Sequence, residues 1–176
     1  MSRSCACKTI AASMLVATLV ITLAGVAAAQ KLEALGSNGA WKAFAFRKGD
    51  VKVCYMASAP IKSEGKYTQR GEIFALVTND PTTGARGEVS IVTGYDYKAD
   101  SEAMLTVGGT VFAMFTKGDK AWTRGPEEDA ALVRAMVKGR DMVITGTSER
   151  GTSTKDTYSL SGFTATKKII DGACKS

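Results

Sequence analysis

Histidine is absent from all 176 residues, and that absence removes more chemistry than any residue present supplies. Without an imidazole there is no Ser-His-Asp or Cys-His catalytic pair, and the commonest transition-metal ligand is missing. Cysteine is nearly as scarce. Of the four cysteines, Cys5 and Cys7 precede a long apolar run, which leaves Cys54 and Cys174 for the rest of the chain. Those two lack a C-x-x-C spacing, and a nucleophilic thiol would want a base that this chain does not contain. There is no Gly-x-Ser-x-Gly motif and no glycine-rich loop of the kind that cradles phosphate. Charge of one sign is never concentrated: Arg47-Lys48, Lys62 with Lys66 and Arg70, Lys117 with Lys120 and Arg124, and Lys167-Lys168 are scattered along the chain. With no block of five or six like charges, the basic residues read as a solvated surface, and nucleic acid is not an expected partner.

The clearest positive signal is at the start. Arg3 and Lys8 precede an uncharged stretch from Thr9 to Ala29, which closes on Ala27-Ala28-Ala29 before Gln30. A positive start, an apolar middle and small residues at the exit make residues 1–29 a secretory signal peptide. Twenty-one uncharged residues are also long enough to span a bilayer. The many Ala, Thr, Ser and Gly residues and the small exit favour cleavage instead. No cysteine stands at the exit, so a lipid anchor is not expected, and no second apolar run reaches transmembrane length. Residues 30–176 should then form one domain, with no integral membrane span after cleavage, in the periplasm or outside the cell, where peripheral attachment to the outer membrane is compatible. Losing Arg3 and Lys8 with no acid lowers the formal charge from +6 to +4. In an oxidising compartment Cys54 and Cys174 read as one structural disulfide, in preference to a catalytic thiol and a spare.

The remaining chain reads mainly as strands. Segments 41–46, 51–56, 73–78, 88–93, 103–107, 110–116, 141–147 and 154–160 are short, rich in β-branched and aromatic residues, and bounded by turn residues. Gly108-Gly109 predicts a two-residue hairpin, because type I′ and II′ turns need positive φ. Glu149-Arg150-Gly151 predicts another. Asn79-Asp80-Pro81 opens a predicted loop that runs to Arg86-Gly87, since proline cannot continue a ladder. Pro126 followed by Glu127, Glu128 and Asp129 predicts a helix start, with Leu132, Val133, Met136 and Val137 as its apolar stripe and Gly139 as its stop. A second helix is expected after Ser161 as cap, carrying Phe163, Ala165, Ile169 and Ile170 toward Cys174. The predicted class is mainly β, an antiparallel sandwich or flattened barrel with two short helices at its edge and one disulfide.

Candidate sites are few. Asp96, Asp100 and Glu102 are close in sequence, but their spacing does not match a calcium loop, so a solvated loop is preferred and no metal or cofactor is expected. A pair of acids distant in sequence could still serve a glycosidase, although nothing singles out two of them. In Gly94-Tyr95-Asp96-Tyr97 the two tyrosines stand at alternate positions, and one is expected to pack inward while the other meets solvent. Tyr95, Tyr97 and Lys98 are therefore the candidate ligand contacts.

Taken together, Trp41, the run Lys52-Val53-Cys54-Tyr55, Glu88-Val89-Ser90 leading to Gly94-Tyr95, and Ala121-Trp122 form an ordered set. Leu132, Met136, Gly139, Gly146-Thr147-Ser148, Arg150-Gly151, Asp156 to Leu160, Gly162-Phe163 and Cys174 continue it. In this order and spacing the chain resembles the invasion-associated locus B family of small exported alphaproteobacterial proteins. The resemblance implies a β-sandwich without catalytic residues. One member promotes entry into red blood cells, while others occur in bacteria that invade nothing. The expected function is a non-enzymatic accessory protein that binds an unidentified component of the envelope or the host surface. The alternative is a hydrolase of envelope sugars or peptides that uses carboxylates alone.

Overall fold

The structure, a computed structural model, describes residues 31–174, so the leader with its expected cleavage after Ala29 lies outside the described residues. The strands are β1 (Glu33–Asn38), β2 (Trp41–Lys48), β3 (Val51–Ser58), β4 (Lys62–Gly65), β5 (Phe74–Asp80), β6 (Ala85–Val92), β7 (Glu102–Val107), β8 (Thr110–Lys117), β9 (Lys120–Trp122), β10 (Asp141–Thr147) and β11 (Ser153–Ser159). Helix α1 (Pro126–Lys138) falls between β9 and β10, and α2 (Phe163–Ala173) follows β11. The eleven strands form one antiparallel sheet in the order β1-β2-β3-β5-β6-β9-β8-β7-β10-β11-β4.

Alternation decides which face of the sheet is apolar. Ala43 and Ala45 of β2 stand opposite Met56 and Cys54 of β3, and the pattern continues through Val77, Val89, Leu105 and Ile144. All of these are buried in one core cluster. The sheet therefore curls around that core as a flattened barrel that its strands do not close. Single hydrogen bonds instead tie the start of β2 to the end of β11. The indole Nε1 of Trp41 donates to the Ser159 carbonyl, and the Ala40 N–H donates to the Ser161 carbonyl. Helix α1 lies on β6 and β7, and α2 on β1, β2, β3 and β5. Both reach into the core rather than sitting at an edge, through Leu132 and Met136 on α1 and Phe163 and Ile170 on α2.

The bridge between Cys54 and Cys174 is present, with Cα atoms 5.8 Å apart, inside the range a disulfide spans without moving backbone. It fastens the end of α2 to β3.

Three expectations about local structure need correcting. The loop predicted from Asn79 to Gly87 is only a turn, because β5 runs through Asp80 and β6 resumes at Ala85. Asn79 has a tertiary task that its turn propensity does not announce: its amide donates to Asp171 and its carbonyl accepts from the Gly87 N–H. Asp80 then closes the turn by accepting from both the N–H and hydroxyl of Thr82. Helix α2 is not capped by Ser161. Gly162 occupies the cap position with φ 84°, and no side chain caps the helix. A Cβ on Gly162 would run into the Asn38 carbonyl, so the close approach of two backbones sets the helix start. Finally β1, β4 and β9 were not expected as strands. They are short or poor in β-branched residues and owe their extension to paired neighbours.

Candidate functional site

Strand β11 places Asp156 on the inward side of the barrel, opposite Ile144 of β10. A carboxylate there must be paired, because an isolated buried charge is far too costly to retain. The partner arrives from the segment joining β4 to β5. Arg70 Nη1 and Nη2 donate to the two oxygens of Asp156 at 2.9 and 2.7 Å, and Arg70 Nε donates to the Thr93 carbonyl at 3.0 Å. The two side chains are only 4% and 1% exposed. The planar guanidinium uses its fork fully, which a lysine could not do. Burial by itself would lower the Arg70 pKa, but the hydrogen bonds and charge of Asp156 outweigh it and hold the pKa above the ordinary value.

Two rings lie close to this guanidinium. Its central carbon lies 5.1 Å from the centre of Tyr67 and 5.0 Å from that of Tyr95, within cation–π distance. The Tyr95 hydroxyl shares a 2.6 Å hydrogen bond with that of Thr154. The connecting segment is held against the end of β6 by the Gly71 N–H, which donates to the Gly94 carbonyl at 2.8 Å. Gly94 has φ 69°, and a Cβ there would collide with the Gly71 backbone. No other residue type suits this crossing.

Above this floor opens a cleft of about 570 Å³, with residues 66–71 as one wall, the β10–β11 turn and Thr154 of β11 as the other, and Asp96 also in its lining. In the floor Arg70, Asp156 and Tyr95 are held by side-chain hydrogen bonds, whereas the rim side chains are not. Lys66, Thr68, Gln69, Asp96, Glu149 and Arg150 are all exposed. Among the described residues their side chains have no hydrogen-bond or ion-pair partner.

The structure separates the residues singled out from sequence. Tyr95 is half-buried and lines the cleft. Tyr97 is 6% exposed and packs edge-on against Tyr95, with ring centres 5.4 Å apart, in space left by the missing side chain of Gly146. Lys98 is exposed and does not line the cleft; its N–H donates to the Thr147 carbonyl, and its own carbonyl accepts from the N–H and hydroxyl of Ser101. Burial pushes the phenol pKa values of Tyr95, Tyr97 and Tyr158 upward. Of the three neighbouring acids, Asp96 rims the cleft, while Asp100 and Glu102 line a separate depression where Glu102 pairs with Arg124. Among the described residues no group of three or more Cys, Asp or Glu side chains is arranged to hold a metal ion.

The buried carboxylates are both engaged. Asp156 is held by Arg70. Asp129 Oδ1 accepts from the Val89 N–H and the Thr123 hydroxyl, which pins α1 to β6. The acids free to act in the cleft, Asp96 and Glu149, are exposed. Sequence reasoning missed Tyr67, Arg70 and Asp156. Asp156 carried a signal, since it occupies an inward position in the alternation of Thr154, Asp156 and Tyr158. Tyr67 and Arg70 carried none, because they lie in an irregular segment whose path is set by the fold.

The family model described as Invasion associated locus B (IalB) protein matches residues 41–171. That span holds Cys54 and every residue of the cleft and ends before Cys174. No curated protein and no solved structure matches the chain.

Proposed function

This chain belongs to the invasion associated locus B family, and from that premise we propose that it is an exported accessory protein acting by binding through the cleft over Arg70. One observation carries the reading. The Arg70–Asp156 pair in the floor is buried and doubly hydrogen-bonded, while the rim offers polar side chains with no partner among the described residues. Binding sites are commonly concave and largely pre-formed, with a few polar groups to fix orientation. A protein arranged this way holds its ligand by contact, without a covalent intermediate.

The signal-peptide pattern of residues 1–29 supports a location in the periplasm or outside the cell, with 30–176 as the working domain and an envelope or host-surface component as the partner. Expected in a pull-down from envelope extract is a component retained by the protein and lost when the rim residues Lys66, Thr68, Gln69 and Arg150 are all changed to alanine. Equal retention by that variant would move the binding surface elsewhere. Asp96 and Glu149 both face the cleft, so the alternative of a carboxylate-dependent hydrolase predicts turnover of an envelope sugar or peptide. Turnover that disappears in Glu149→Gln or Asp96→Asn would replace the binding reading.

A further inference from the structure

We propose that the cleft takes a short, uncharged glycan, an inference that rests on reading the cleft as the binding site. Charge balance is the first argument. Lys66, Arg70 and Arg150 are offset by Asp96, Glu149 and the Asp156 beneath the floor, so cations and anions are equal in number. Such a site has no net charge with which to hold a polyanion or a polycation.

The second argument is the character of the unengaged groups. The Thr68 hydroxyl and Gln69 amide are exposed on one wall, and each can both donate and accept. Sugar hydroxyls ask for that two-way pairing, whereas a phosphate or carboxylate needs donors only. Beside them Tyr67 is half-buried, its ring backed by the Arg70 guanidinium. An aromatic body with a polar tip complements a sugar ring, which has apolar C–H faces and a hydroxyl edge. The volume of about 570 Å³ lies within the roughly 300–1,000 Å³ common for small-ligand sites.

A peptide is less well served. The walls are a loop and the turn of a hairpin, and Thr154 lies on β11, which is paired on both sides by β10 and β4. The cleft therefore offers no free strand edge onto which an extended peptide could add.

The test uses the purified protein labelled with ¹⁵N and titrated, in parallel, with neutral tetrasaccharides of glucose, galactose, mannose and N-acetylglucosamine, a heparin tetrasaccharide and an uncharged tetrapeptide. The expected result is amide shifts confined to residues 66–71, 94–96 and 148–154 with at least one neutral glycan. Its Kd should hold within about twofold from low salt to about 0.5 M, since screening leaves uncharged contacts untouched. Joint replacement Thr68→Ala and Gln69→Ala should weaken binding about tenfold or more, at an unchanged melting temperature because neither side chain has a partner among the described residues. Heparin binding at the same amides with a steep salt dependence, or peptide binding there, overturns the glycan assignment while leaving the cleft as the binding site. Glycan shifts outside the cleft, or none at millimolar ligand across the panel, also overturn it. The pull-down with the variant lacking all four rim side chains, Lys66, Thr68, Gln69 and Arg150, then decides independently whether the cleft binds at all.

Discussion

At the scale of single residues, the Arg70–Asp156 pair decides how the cleft end of the barrel is built. The net gain from a buried pair is small, but removing one partner strands the other charge in the interior. Asp156→Asn should therefore cost about 3–5 kcal/mol, read from urea unfolding. A loss under about 1 kcal/mol would mean that water reaches Arg70 and that the floor is not sealed. Arg70→Lys should fail to rescue, since a point charge cannot replace the two parallel hydrogen bonds. The tyrosines around the pair make a second prediction. Burial raises the folded-state pKa of Tyr95, Tyr97 and Tyr158 above the ordinary 10.0, so folding favours the neutral phenols. Their stabilisation is complete below that value and is lost as pH rises through the folded-state values, because the unfolded chain gives up its protons first. Thermal melts should fall steadily above about pH 10. Tyr97→Phe should flatten that fall without lowering stability at neutral pH, and an unchanged slope would exclude Tyr97 from the effect.

At the scale of elements, α1 was legible from end to end. Proline at the first turn, three acids after it and Gly139 at its close gave the observed limits Pro126 and Lys138, because these end signals act locally. Its stripe was legible too, with one refinement. Leu132 and Met136 are buried, whereas Val137 is 45% exposed, since one residue further along turns the side chain about 100° away. Met136→Ala should cost about 2–5 kcal/mol. Val137→Ala should stay within about 0.5 kcal/mol, as for other surface changes. Equal effects from the two in chemical denaturation would mean that the helix face is misassigned. Strands β1, β4 and β9 were not legible, because short polar or glycine-containing segments become strands only when neighbours supply the ladder.

At the scale of the whole molecule, the disulfide links positions 120 residues apart in sequence. Closing so long a loop in the unfolded chain contributes at most about 5 kcal/mol in the chain-entropy description. At about 2–4 °C per kcal/mol, reduction should lower the melting temperature by up to roughly 10–20 °C. A shift of only a degree or two in calorimetry would show that the fold stands without the bridge. The leader makes the last prediction. Intact-mass measurement of the exported protein should give a chain that begins at Gln30, and a form retaining Met1 would defeat the export reading.

Sequence by itself determined the features that local chemistry governs: the leader pattern, the strand-rich class, the extent of α1 and the poverty of catalytic groups. Cys54 and Cys174 were also within reach, as two cysteines left to pair after the leader. The binding cleft was not. Its floor joins Arg70 to Asp156, 86 positions apart, and its two glycine backbones meet because β6 ends beneath the β4–β5 connection. Alternation along β11 tells which way Asp156 points, but only the curl of the sheet decides which cation can reach it. The same holds for Tyr95 and Tyr97. Two residues apart, they share a face by strand periodicity alone, yet one lines a cleft and the other fills the space beside Gly146. Local patterns are set by the period of the backbone, whereas a site is set by which distant segments the closing core forces together.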